Sequence, residues 1–118
     1  MKTEKITLRI YDEVSGDAAI SVSDGDAIFH KIDAALSNQL TVVLDFQNIN
    51  LIITAFLNAS IGQLYSKYTS ENLNQYLKLE NVKEEDRHLF NMAIKRAKEY
   101  FLDPESFNKS IDEVLGND

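Results

Sequence analysis

One stretch, residues 40–68, LTVVLDFQNINLIITAFLNASIGQLYSKY, limits what this chain can fold into. Thr41, Val42 and Val43 are adjacent β-branched residues in a nearly unbroken apolar run that closes at Asp45 and Phe46. A run of this kind over residues 40–46 predicts a central strand with contacts on both faces, because a strand covered on one side alternates. Gln47, Asn48 and Asn50 then supply turn chemistry, while Ile49, Leu51, Ile52 and Ile53 pin the chain to the core. Thr54 is the expected N-cap of a helix, its hydroxyl accepting an unpaired backbone N–H. Leu57, Ile61, Leu64 and Tyr68 follow at helical spacing as one apolar stripe, with Asn58, Ser60, Gln63 and Lys67 on other faces. Gly62 costs this helix about 1 kcal/mol of propensity relative to alanine, which points to close approach by another backbone.

The flanking segments fit strands beside that strand and helices over it. Ile6, Leu8 and Ile10 alternate with Thr7, Arg9 and Tyr11, the pattern of a half-buried strand. A turn at Ser15-Gly16-Asp17 leads to a short second strand over residues 19–22, expected antiparallel to the first. Ser23 or Asp24 caps a helix carrying Ile28, Ile32 and Leu36, and Ser37, Asn38 and Gln39 end it. After a polar break at Thr69, Ser70 and Asn72, residues 75–82 return as a strand with Leu77 and Leu79 inward. The connection from Phe46 to Tyr76 is long enough for a parallel crossover. Asn81 and Glu84 have capping-box spacing ahead of a helix with Phe90, Ile94, Ala97 and Phe101 on its buried face. Asp103-Pro104 restarts a last helix with Phe107, Ile111, Val114 and Leu115. The expected architecture is a single α/β domain over residues 1–118, with a mixed four-stranded sheet and about four helices.

The 118 residues favour one domain that buries roughly 65% of its unfolded surface. Absence of cysteine removes disulfides, thiol nucleophiles and cysteine metal sites, and fits a reducing cytoplasmic compartment. The N-terminus lacks the apolar core of a signal peptide, and no run reaches transmembrane length. A net charge of −7 argues against nucleic acid and anionic membranes as partners and favours a basic protein partner.

Catalytic signals are missing: there is no GxSxG, P-loop or GxGxxG, and His30 and His88 lack the paired spacing of a zinc site. No catalytic residue, metal ligand or cofactor is expected. Asp24-Gly25-Asp26 is closer to helix capping than to a calcium loop, because the later ligands are missing. Arg87, Lys95, Arg96 and Lys98 read as a solvated helix face. Asp45, at the end of the central strand, either serves a ligand or accepts N–H bonds in its own turn. Thr54 is either an N-cap or, as a hydroxyl at a helix start, a modification site.

Asp45-Phe46, Ile49, Thr54-Ala55-Phe56-Leu57-Asn58 and Ile61-Gly62-Gln63-Leu64 together resemble the STAS-like domain family DUF4325. Ser23-Asp24-Gly25, the strand at residues 79–82 and Ala97-Lys98-Glu99-Tyr100 are also similar to that family. The resemblance implies the fold of bacterial anti-sigma factor antagonists. Those are non-catalytic proteins that bind a histidine-kinase-like ATPase and are switched by phosphorylation of a serine in an Asp-Ser-Ser-Gly-Leu motif. Laid on this chain, that motif falls on Ile53, Thr54, Ala55, Phe56 and Leu57, so the switch serine is replaced by Ala55. The expected function is a regulatory protein-interaction module docking a partner through Asn48, Asn50, Thr54, Ala55, Phe56 and Asn58. The alternative is a small-ligand or nucleotide sensor using the strand ends near Asp45.

Overall fold

The computed structural model describes residues 4–102, so the helix expected after Asp103-Pro104 lies outside the described residues. The central strand is β3 (Thr41–Asp45), and β1 (Lys5–Arg9) and β5 (Leu77–Glu80) flank it in the order β1-β3-β5. Both pairings are parallel, with Ile6 opposite Val42, Leu8 opposite Leu44, Val42 opposite Leu77 and Leu44 opposite Leu79. These side chains form the inner face. On the outer face Thr7, Arg9, Lys78 and Glu80 are exposed, while Val43 between them is buried. The unbroken apolar run of β3 thus reflects burial on both of its sides, whereas β1 and β5 alternate.

The strands follow one another across the sheet in chain order, so both crossovers travel in the same direction. With connections of one hand, the helices they carry cover the same face. α2 (Val22–Ser37) bridges β1 and β3, and α3 (Thr54–Ser60) with the 3₁₀ turn Gly62–Ser66 and α4 (Ser70–Tyr76) bridges β3 and β5. α5 (Arg87–Leu102) closes the layer, its Phe90 edge-on to Phe46 with ring centroids 5.0 Å apart. The stripe Leu57, Ile61 and Leu64 is buried as expected, and Tyr68 packs at its edge. Asp33 on α2 ties this region down by accepting hydrogen bonds from Lys67 Nζ at 2.8 Å and the Tyr68 hydroxyl at 2.6 Å. Those two bonds hold its carboxyl below the usual carboxylate range.

The sheet is not a mixed four-stranded one. After Arg9 the chain coils at once into α1 (Ile10–Val14), with Ile10 still pointing into the core. Ser15 at φ 58° and Gly16, whose N–H donates to Tyr11 O at 3.0 Å, end that helical turn. What reads as a hairpin turn is therefore a helix C-terminus. The next strand, β2 (Ala18–Ala19), never meets β1. It pairs in parallel with β4 (Leu51–Ile52) as a separate two-stranded sheet, Ala18 opposite Leu51 and Ala19 opposite Ile52.

Three helix starts also differ from the sequence reading. α2 begins at Val22 behind the cap Ser21, whose Oγ accepts from Asp24 N at 3.2 Å, two residues ahead of Ser23. Residues 70–76 are helical behind Thr69, whose Oγ1 accepts from Asn72 N at 3.1 Å. Asn81 caps nothing: it takes a left-handed φ of 60° and sends its amide to Asp45.

Close backbone approach exists, but at Gly25 and not at Gly62. A Cβ on Gly25 would lie 2.8 Å from Phe56 O and 2.9 Å from Ala59 Cβ, whereas one on Gly62 would sit at an ordinary 3.7 Å from Ala97 Cβ. α2 and α3 therefore cross with no room for a methyl group at Gly25. Gly25→Ala is expected to destabilise by about 1–3 kcal/mol, the overpacking exceeding the roughly 1 kcal/mol gained in helix propensity. Gly62→Ala is expected to be neutral or to stabilise by up to about 1 kcal/mol, since nothing must move and alanine has the better helix propensity. Urea melts of the two variants side by side check both numbers.

Candidate functional site

The small sheet and the start of α3 form one surface. Its register is set by Asp17 and Asn50. Asp17 O accepts from Asn50 N at 2.8 Å and Leu51 N at 3.2 Å, Asn50 Nδ2 donates to Asp17 Oδ2 at 3.0 Å, and Ile53 N donates to Ala19 O at 3.2 Å. Lys83 Nζ completes the brace on Asn50 Oδ1 at 2.8 Å. Alternation then sorts the side chains. Ala19 and Ile52 point inward and are buried, while Ile20, Leu51 and Ile53 point outward and are 46%, 53% and 37% exposed. Val22, at the first position of α2, is 56% exposed beside them. Four large aliphatic side chains are thus exposed on the small sheet and at the start of α2.

The residues expected to meet a partner fall into three groups. Thr54, Ala55 and Asn58 lie along the accessible side of α3. Asn48 and Asn50 are exposed on the preceding loop, Asn48 in a left-handed turn at φ 68°, and Asn50 has both ends of its amide engaged in the brace. Phe56 does not belong: it is fully buried beneath α2 and presents no side-chain surface. Ile52 is likewise buried, and the outward apolar residues of this stretch are Leu51 and Ile53. Ile20 and Val22 were not singled out in the sequence. The signal for them was the small-large step from Ala19 to Ile20 just before a capping serine, masked by the assumption that this segment paired with β1. Thr54 is not the N-cap. That position is Ile53, no side chain caps α3, and the Thr54 hydroxyl sits one residue inside the helix.

Asp45 follows its structural reading. Its Oδ1 accepts from Asn81 Nδ2 at 2.8 Å and from Gln47 N at 2.9 Å, joining the ends of β3 and β5. The Asn81 bond first, then the Gln47 N–H, and least of all the neighbouring Arg9 charge hold its carboxyl below the usual range against a modest opposing effect of burial. The strands also run in sequential order, so no reversal opens the crevice in which sheets of this class hold nucleotides. A cavity of about 460 Å³ does lie beyond Asn81, lined by Leu79, Val82, Arg87, Phe90 and Ile94.

Among the described residues no three His, Asp or Glu side chains converge as a metal site. His30 is exposed with Asp26 at 3.5 Å, and His88 is exposed on α5. Asp26 also accepts from Gln63 Nε2 at 3.0 Å, and Gly25 is packed within its helix, so the Asp24-Gly25-Asp26 segment is helix and not a loop for an ion. Arg87 pairs loosely with Glu84 at 3.4 Å, and Lys95 and Arg96 are exposed, in keeping with a solvated helix face. Among the described residues no helix is long and apolar enough to cross a membrane.

The described architecture is a parallel sheet with its helices on one face and a helix starting just beyond the central strand. The family model described as STAS-like domain of unknown function (DUF4325) matches residues 24–87, just over half of the chain, from the first turn of α2 to the start of α5. The chain belongs to that family. No curated protein and no solved structure matches it.

A carboxylate whose folded pKa is lowered adds stability that is present above its unfolded value near 4 and lost as pH falls through the folded value. Asp45→Asn is therefore expected to cost about 1–2 kcal/mol at neutral pH. That difference from the parent protein should shrink between about pH 5 and about pH 2 in denaturant melts run at each pH.

Proposed function

We propose that this domain is a non-catalytic regulatory module that docks a protein partner through the outward face of the small sheet and the start of α3. The observation that carries the reading is the cluster of exposed aliphatic side chains, Ile20, Val22, Leu51 and Ile53, next to Ala55. The buried neighbours Ala19, Ile52 and Phe56 hold that cluster on a rigid base. By analogy with anti-sigma factor antagonists the partner is a histidine-kinase-like ATPase. Ala55 stands where those proteins carry the switch serine, so docking here is set by partner abundance or by a ligand and not by phosphate at that position.

The family supports this reading over an enzyme, and the cavity near Asn81 supports a second one. Its apolar floor of Leu79, Val82, Phe90 and Ile94 with Arg87 at the rim suits a small anionic ligand with an apolar body. Binding there would raise the melting temperature of the parent protein but not of Arg87→Ala.

The docking reading is tested by capture from cells that make the protein. Leu51→Glu buries an unpaired charge in any contact on this face, at a cost of several kcal/mol to the complex, while its exposed position leaves the fold intact. The expected outcome is an unchanged melting curve and loss of a partner that the parent protein and a Lys95→Glu control both retain. A partner held equally by all three places docking elsewhere. Stoichiometric phosphate on Thr54, found by mass spectrometry, would contradict the loss of a phosphorylation switch.

A further inference from the structure

Adjoining the apolar face is a surface depression of about 470 Å³, lined by Tyr11, Gly16, Asp17, Asn48 and Asn50. Its chemistry is one-sided. Tyr11 is 44% exposed and contributes an aromatic ring. Asp17 is exposed, and of its carboxylate oxygens Oδ2 takes the Asn50 amide at 3.0 Å, while Oδ1 has no hydrogen-bond partner among the described residues. Among the described residues no lysine or arginine lines the depression, and Lys83, which reaches the same network, places its ammonium on Asn50 Oδ1 at 2.8 Å. The backbone is fixed in advance, because Asp17 O holds the N–H groups of both Asn50 and Leu51.

We infer that this depression receives a basic side chain, a guanidinium above all, from a protein segment whose neighbouring residues are apolar. The inference rests on the docking face proposed above and names the chemistry of what docks. A guanidinium is planar and weakly hydrated, so it stacks on an exposed tyrosine ring while donating to a carboxylate, which an ammonium does less well. The placement matches an extended segment. Asp17 immediately precedes the Ala18–Leu51 pair, and Ile20 lies three residues further on, about 10 Å along an extended chain. An arginine two to four positions from aliphatic residues therefore spans the depression and the apolar face together. The net charge of −7 draws such a segment in and repels acidic competitors.

Two terminally blocked peptides, Arg-Val-Ile-Val and Gln-Val-Ile-Val, test this by titration into ¹⁵N-labelled protein. The arginine peptide is expected to shift the amide signals of Gly16, Asp17 and Asn50 together with those of Ile20, Leu51 and Ile53. It should bind at least about fivefold more tightly than the glutamine peptide, with the advantage falling as salt is added. Asp17→Asn keeps an oxygen for the Asn50 amide and should erase the advantage, and Tyr11→Leu should reduce it, both without moving the melting curve. Equal binding of the two peptides, or no saturable shift with either, overturns the inference. Shifts of Leu51 and Ile53 alone with both peptides overturn it while leaving the docking face in place. Arginine-dependent shifts confined to Gly16, Asp17 and Asn50 support the basic-residue site and remove the apolar face from it.

Discussion

The contact on which the rest of the domain depends is the crossing of α2 and α3 at Gly25. Phe56 O and Ala59 Cβ occupy the space a side chain would need, so α3 is seated directly on the backbone of α2. Ser60, the one buried polar side chain among the described residues, satisfies itself within α3 by donating to Phe56 O at 2.8 Å, and so leaves that seat without an unpaired group. Moving α3 outward would lift Phe56 and Leu57 from the core and tilt the segment just before the helix. That segment is β4. The position of the exposed aliphatic face therefore follows from a glycine on a different helix.

Around this crossing the molecule separates its tasks. The inner sheet face and the helix layer hold nearly all of the buried apolar side chains. The C-terminal ends of β3 and β5 are tied together by the Asp45–Asn81 bond, and the cavity lined by Leu79, Val82 and Phe90 lies just beyond it. To the side lies a two-stranded sheet built from a segment that leads into α2 and a segment that leads into α3. The outward residues of that sheet, Ile20, Leu51 and Ile53, are only partly covered by the described residues, so packing constrains their identity less than that of the buried Ala19 and Ile52.

Much of the fold was legible in the sequence, and the reason differs by element. β3 was legible because its three middle residues, Val42, Val43 and Leu44, are all buried and so leave no polar alternation. The crossover to β5 followed from its length alone. The short elements were not legible. Two-residue strands have no period to read, and the helical turn at Ile10–Val14 continues the alternation of β1 so closely that Ile10 stays buried in either geometry. The Ser-Gly turn signal was real but served a helix end, and this one misreading produced the fourth strand. The candidate surface read from the sequence spans residues 48–58, a stretch in which Asn48, Asn50, Leu51, Ile53, Ala55 and Asn58 are exposed. Within it Phe56 faces inward and Ile53 outward, because the helix start reverses which neighbours are covered and no periodic pattern spans the junction. Ile20 and Val22 arrive from a segment some thirty residues away, brought there by the Asp17–Asn50 pairing and the β2–β4 ladder that follows it.

That pairing also makes the domain intolerant of length changes in a place that looks permissive. The loop at residues 46–50 is polar and exposed, the kind of site at which insertions are usually accepted. Here one added or deleted residue would rotate β4 by half a period, turning Leu51 and Ile53 into the core and Ile52 out to solvent. Substitution at this loop changes the chemistry of the exposed surface, whereas an indel inverts the surface altogether. Chains that share this architecture are thus expected to diverge in the composition of the loop while keeping the count of residues between β3 and α3.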